Sequence, residues 1–136
     1  MRAEEAKKLW AQAVEARERS YSPYSGYKVG AALLCGDGSV FTGCNIENGA
    51  YAPTNCAERT AFFTAVAAGR REFRAIAIAG GGSELEDCYP CGVCRQVMAE
   101  FCEPSRFQII CGKDEERLEI FTLGELLPKG FKISGK

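Results

Sequence analysis

Apolar residues recur at helical spacing near the start of the chain. Ala6, Leu9, Trp10, Ala13 and Val14 share one face and Glu, Lys and Arg residues take the other, which predicts an amphipathic helix over residues 4–19. Ser22-Pro23-Tyr24-Ser25-Gly26 breaks that pattern ahead of a strand over 27–35, whose run from Val29 to Leu34 is apolar on both faces. The turn residues Gly36-Asp37-Gly38-Ser39 lead into a second strand over 40–46, so the two form a hairpin. A loop over 47–55 holds Gly49 and Pro53, and a helix rich in Ala and Phe follows over 56–68, with Gly69 where a C-cap belongs. Residues 73–79 read as a buried strand, 80–89 as a loop and 90–102 as a helix with Pro90 in its first turn. A fourth strand over 106–111, a short fifth over 118–121, a short helix over 123–127 and a tail over 128–136 complete the chain. A hairpin followed by alternating helices and strands predicts an α/β fold, a mixed five-stranded sheet with helices on its faces.

The 136 residues suit one domain spanning 1–136. A core of that size folds without disulfides or a structural metal, so a metal site here points to function rather than to folding. The formal net charge of −1 and the lack of a basic stretch argue against nucleic acid or a membrane surface as partner. No apolar run approaches the roughly 18 residues that span a bilayer.

There is no histidine, which excludes Ser-His-Asp triads, Cys-His proteases and His-ligated zinc. Acid–base chemistry near neutral pH then falls to a carboxylate or to water on a metal. The eight cysteines are Cys35, Cys44, Cys56, Cys88, Cys91, Cys94, Cys102 and Cys111. Met1 to Lys8 shows no secretory pattern, so the expectation is free thiols in the cytoplasm rather than a disulfide framework.

Pro90-Cys91-Gly92-Val93-Cys94 sets two thiols three residues apart at a helix start, where they share a face and where the helix dipole favours thiolate. A lone C-x-x-C also serves thioredoxin-like redox chemistry. Asn55-Cys56-Ala57-Glu58-Arg59 opens the other long helix, and the stretch between Cys56 and Cys91 has the length of a crossover that starts successive helices at one sheet edge. Three sulfurs can therefore converge on one Zn²⁺. Three protein ligands leave its fourth position open, as catalytic zinc sites do. Cys56 and Glu58 serve one site only if that site lies off the helix N-terminus. Three thiolates and one Zn²⁺ carry a formal −1, which two helix N-termini and Arg59 would offset. Rival readings stay open. Cys88, Cys91 and Cys94 repeat every three residues, so with Cys56 they would make a closed structural site. Glu58 in a first turn also complements the dipole, and Asn45 and Glu47 at a strand end also form turns. Gly80-Gly81-Gly82 lacks the spacing of a phosphate loop and reads as a connection. Cys35, Cys44, Cys102 and Cys111 are assigned to packing.

Together, Cys56-Ala57-Glu58 and Pro90-Cys91-Gly92-Val93-Cys94 resemble the zinc-dependent nucleoside deaminases. Tyr21-Ser22-Pro23-Tyr24-Ser25 with Tyr27 to Ala32, then Gly43 to Asn48, then Cys56 to Ala61 narrow the resemblance to the small homotetrameric cytidine deaminases, over nearly the whole chain. The resemblance implies a three-layer α/β/α sandwich and one Zn²⁺ per subunit on Cys56, Cys91 and Cys94. It implies hydrolysis of cytidine, and of 2′-deoxycytidine, to the uridine counterpart and ammonia, with Glu58 moving the protons, as a step of pyrimidine salvage. It further implies that Asn45 and Glu47 hold the ribose, that Tyr27 packs against the nucleoside and that the Ala57 N–H meets the pyrimidine O2. Phe131 would reach a neighbouring subunit's site. The position of Tyr27 is often Phe in the family, so its hydroxyl is a departure. A blasticidin-S-type deaminase and a non-catalytic zinc module are the alternative functions.

Overall fold

The computed structural model describes residues 1–133; the last three residues of the predicted tail lie outside them. Four helices, α1 (Ala3–Arg17), α2 (Ala57–Ala67), α3 (Gly92–Phe101) and α4 (Leu123–Leu126), accompany six strands. These are β1 (Lys28–Cys35), β2 (Val40–Cys44), β3 (Phe73–Gly81), β4 (Leu85–Glu86), β5 (Gln108–Cys111) and β6 (Glu119–Thr122). The sheet order is β2-β1-β3-β5-β6, with β4 paired to β3. Six strands replace the five expected, because Gly81, whose added Cβ would sit 2.0 Å from the Glu84 carbonyl oxygen, lets the chain fold straight back on β3. The triple-glycine segment predicted as plain connection is thus in part a tight reversal. Element ends move by at most two residues from the periodicity reading, the usual fraying of helix and strand termini.

In the hairpin, β1 and β2 pair antiparallel with Leu34 opposite Val40. Its turn is held by Asp37 Oδ1, which accepts from the Ser39 N–H at 3.0 Å, and by Gly38 at φ +90°. Because β1 is antiparallel to both β2 and β3, those two strands run the same way. β3 and β5 are parallel and need a crossover, which α3 supplies. Both α2 and α3 leave the carboxyl ends of parallel strands on one face, so their N-termini share one edge of the sheet.

The two faces of the sheet differ in side-chain size. One presents Ala31, Leu33, Ile76, Ile78 and Ile109 to α2 and α3, where Phe62 and Phe107 fill the centre. The other presents only Ala32, Ala75, Ala77, Ala79 and Ile110 to Leu9, Trp10 and Ala13 of α1. Small residues let α1 lie close, closest at Gly30, where a Cβ would stand 2.0 Å from the Ala13 carbonyl oxygen and 2.4 Å from the Arg17 nitrogen. Gly43 does the same for α2, with a Cβ falling 2.5 Å from the Ala61 nitrogen. Cys35, Cys102 and Cys111 are buried as packing residues, whereas Cys44 stays half exposed and donates its thiol to the Arg19 carbonyl at 3.4 Å.

Gly43→Ala must push α2 off the sheet, since backbone blocks the new methyl. A loss of about 3 kcal/mol in denaturant unfolding is expected. Gly82→Ala, whose methyl meets nothing within 4 Å, should stay within about 0.5 kcal/mol of the parent.

Candidate active site

Cys56 and Cys91 are the N-cap residues of α2 and α3 rather than members of their helical walls. At that position the backbone is extended, so each sulfur projects ahead of the first turn, towards the space both helix ends share. The Cys91 sulfur also accepts from the Cys94 N–H at 3.4 Å, doing the work of a capping side chain. Cys94 reaches the same point from the first turn of α3. The three sulfurs lie within 4.8 Å of one another, and Cys56 and Cys91 Sγ are 3.8 Å apart. A regular tetrahedron with zinc–sulfur bonds of about 2.3 Å places its sulfurs about 3.8 Å apart, so the donor set fits zinc. Among the described residues this is the one such group, and Cys88 is not part of it.

Charge is managed from two sides. Arg59 Nη2 donates to Cys56 Sγ at 3.2 Å, and the start of α2 adds N–H groups with no helical partner. The Cys56 thiol is drawn well below the ordinary range, first by its bond to Cys94 and then by Arg59. Cys94, the protonated partner in that bond and itself buried, is pushed up.

Glu58 is only 5% exposed. Side chains of a first turn lean back past the helix start, and the Cys56 and Cys94 sulfurs both act on the ionisation of Glu58. Burial raises its carboxyl to about 7, with the Cys56 thiolate acting in the same direction. A carboxyl poised there can both take and give a proton near neutral pH.

A cavity of about 240 Å³ opens beside these groups, lined among others by Tyr27, Asn45, Glu47, Ala57, Glu58 and Cys91. The site residues read from the sequence therefore meet in one place, Phe131 excepted. Its side chain is 66% exposed, and it lines a separate hollow with Ala99, Pro104 and Leu127. Ala57 begins α2 and presents its backbone N–H from the first turn.

Asn45 and Glu47 are already heavily bonded. Asn45 Oδ1 accepts from the Val29 N–H at 2.9 Å and from the Ser20 hydroxyl, and its Nδ2 donates to the Tyr27 carbonyl at 2.8 Å. Glu47 Oε1 accepts from the N–H groups of Tyr24 at 2.9 Å and Ser25 at 3.1 Å, while Oε2 takes the Ser25 hydroxyl. One amide hydrogen on Asn45 and one lone pair on Glu47 remain for a ligand. Both side chains are thus fixed before anything binds.

Three features in or near the cavity escaped the sequence reading. The Tyr27 hydroxyl finds its partner in the Cys88 thiol, and burial raises these groups to about 12 and about 11, so both stay protonated at neutral pH. Tyr89 edges the cavity with its ring against Phe121 and its hydroxyl donating to Glu119. Arg95 Nε donates to the Pro90 carbonyl at 2.7 Å and Nη1 to that of Leu126 at 2.6 Å, which holds the residue just before Cys91. Only the Pro90-Cys91 context hinted at Tyr89; the partners of Tyr27 and Arg95 are set by tertiary packing.

Comparison with known proteins places this geometry in context. A family model for the cytidine and deoxycytidylate deaminase zinc-binding region matches residues 3–111. A cytidine deaminase of Sporosarcina psychrophila is 48% identical over 93% of this chain and 91% of its own length. One of Halalkalibacterium halodurans is 49% identical over 88% of this chain and 89% of its own. Among solved structures, the cytidine deaminase of Burkholderia pseudomallei superposes with a TM-score of 0.83 at 47% identity, covering 91% of this chain and 97% of that one. The chain belongs to the zinc-binding cytidine and deoxycytidylate deaminase family.

Proposed function

We propose that this chain is a zinc-dependent cytidine deaminase, which hydrolyses cytidine and 2′-deoxycytidine to uridine and 2′-deoxyuridine with release of ammonia. The observation that carries this reading is the placement of a buried carboxyl, Glu58, against three sulfurs spaced for zinc at the floor of an open cavity. Cys56, Cys91 and Cys94 would hold one ion per subunit, and that ion supplies the Lewis acidity that makes water a nucleophile at neutral pH.

Glu58 takes a proton from the water that attacks C4 and delivers it to N3. A further proton passes from the water's oxygen to the departing amine, so cytidine plus water becomes uridine plus ammonia. One carboxyl acts first as base and then as acid, a dual role that its raised pKa suits. The Ala57 N–H orients the base through O2, Tyr27 packs beside it, and the free hydrogen of Asn45 with the free lone pair of Glu47 meets ribose hydroxyls. Arg59 balances the negative charge of the sulfurs and so preserves the metal's electrophilicity. The prior fixing of Asn45 and Glu47 lowers the ordering cost of binding.

We further infer one catalytic domain over 1–136 and assembly into a homotetramer. Exposed Tyr51 and Phe131 give apolar surface for neighbouring copies, and Phe131 would enter a neighbour's cavity. Eight free cysteines suit a reducing compartment, the cytoplasm. No helix is long and apolar enough to cross a membrane among the described residues. Net charge −1 favours a small nucleoside over a polynucleotide.

Glu58→Gln should keep zinc, measured by elemental analysis, and lose roughly 10⁴-fold in ammonia release; turnover near the parent rate would rule out its role. Cys88→Ser should keep both zinc and activity within a few-fold, whereas Cys91→Ser should lose the metal. In the zinc-free protein, Glu58 has a folded pKa near 7 against an ordinary 4.5, so it costs stability above pH 7 and nothing below pH 4.5. Zinc-free Glu58→Gln should therefore be more stable than zinc-free parent at pH 8, by on the order of 1–3 kcal/mol, with the gain shrinking as pH falls to 5. Urea unfolding at the two pH values reads this directly.

A further inference from the structure

Arg17 closes α1 on the side of the sheet away from the sulfurs, yet its guanidinium reaches the sheet edge where the cavity opens. Its side chain is nearly buried, at 9% exposure, with the largely solvated Glu18 carboxylate 3.6 Å away. Nε donates to the Lys28 carbonyl at 3.1 Å, and Nη2 donates to the Gly81 carbonyl at 3.0 Å and to that of Gly82. A charge held this far from water on main-chain carbonyls is costly unless each bond is kept, which makes the arrangement rigid.

Those carbonyls belong to the two main-chain segments that lead to opposite walls of the cavity. Lys28 directly follows Tyr27 and pairs with Gly81 in the β1/β3 ladder. Gly81 and Gly82 are where the main chain leaves β3 to form β4 and then carry Cys88, Tyr89 and Cys91 to the cavity. One planar fork therefore ties the Tyr27 wall to the Cys88 wall, across which the Tyr27 hydroxyl meets the Cys88 thiol. The close seat of α1 at Gly30 brings the fork within reach.

We propose that Arg17 is a positioning residue for the substrate cavity. By clamping Lys28 to Gly81 and Gly82, it sets the separation of the walls carrying Tyr27 and Cys88, without touching substrate or metal. This deepens the cytidine deaminase reading and rests on it for the kinetic part of the test.

Arg17→Lys keeps the charge and loses the planar fork, since one ammonium cannot hold both strands in the same geometry. Arg17→Gln serves as a second variant should the lysine fail to fold, and Ile110→Val, on the same sheet face, as a control for ordinary loss of stability. Hydrogen exchange followed by mass spectrometry should speed up about 10-fold or more over residues 82–91 in the Arg17 variants, with α2 unchanged. Zinc content should match the parent, and KM for cytidine should rise about 10-fold while kcat falls less than about 3-fold. Parent-like exchange over 82–91, or a KM no higher than in Ile110→Val, overturns the proposal. A parent protein that releases no ammonia from cytidine refutes the function, and the exchange result then still decides the clamp.

Discussion

Three sulfurs and a carboxyl share the space where α2 and α3 begin. Each can carry negative charge, and the Cys56 thiolate raises the energy of charging both Glu58 and Cys94. The fold accommodates them by aiming two helix N-termini at that space and adding Arg59, and a divalent cation completes the balance. Burial, with the Cys56 thiolate beside it, also has a chemical yield, because it holds the Glu58 carboxyl at about 7 in a cavity wall. Without the sulfurs beside it, a first-turn glutamate would merely complement the dipole.

That convergence follows from topology. The antiparallel hairpin makes β2 and β3 run alike, so the helices that follow them start at one edge. The N-cap positions then do what a helical wall does not, turning Cys56 and Cys91 ahead of the first turn. Gly43 and Gly30 fix how near α2 and α1 come to the sheet, and through them where Cys56 and Arg17 stand. Close packing at two glycines thus sets where residues of the cavity region stand.

Much of this was legible in the sequence, for physical reasons that can be named. Leu9, Trp10 and Ala13 betray α1 by spacing, and the separation of Cys56 from Cys91 betrays a crossover. The family resemblance carried the residues proposed to face the nucleoside, of which the structure gathers Tyr27, Asn45, Glu47 and Ala57 around one cavity. Beyond reach were features created by contacts distant in sequence. Arg17 meets Gly81 across 64 positions, Tyr89 meets Glu119 across 30, and no periodicity encodes either. The two-residue β4 is too short to leave a pattern and exists because Gly81 tolerates the reversal. Helix starts shifted because a cysteine acting as a cap resembles, in sequence, a cysteine inside the helix.

The central claim is that the three-sulfur site holds the ion on which turnover depends. Stripping the metal and titrating zinc back while recording ammonia release from cytidine tests it most directly. Activity should rise in proportion to bound zinc and level off at one ion per chain. Full turnover without metal, or a zinc-loaded chain that releases no ammonia, would contradict it.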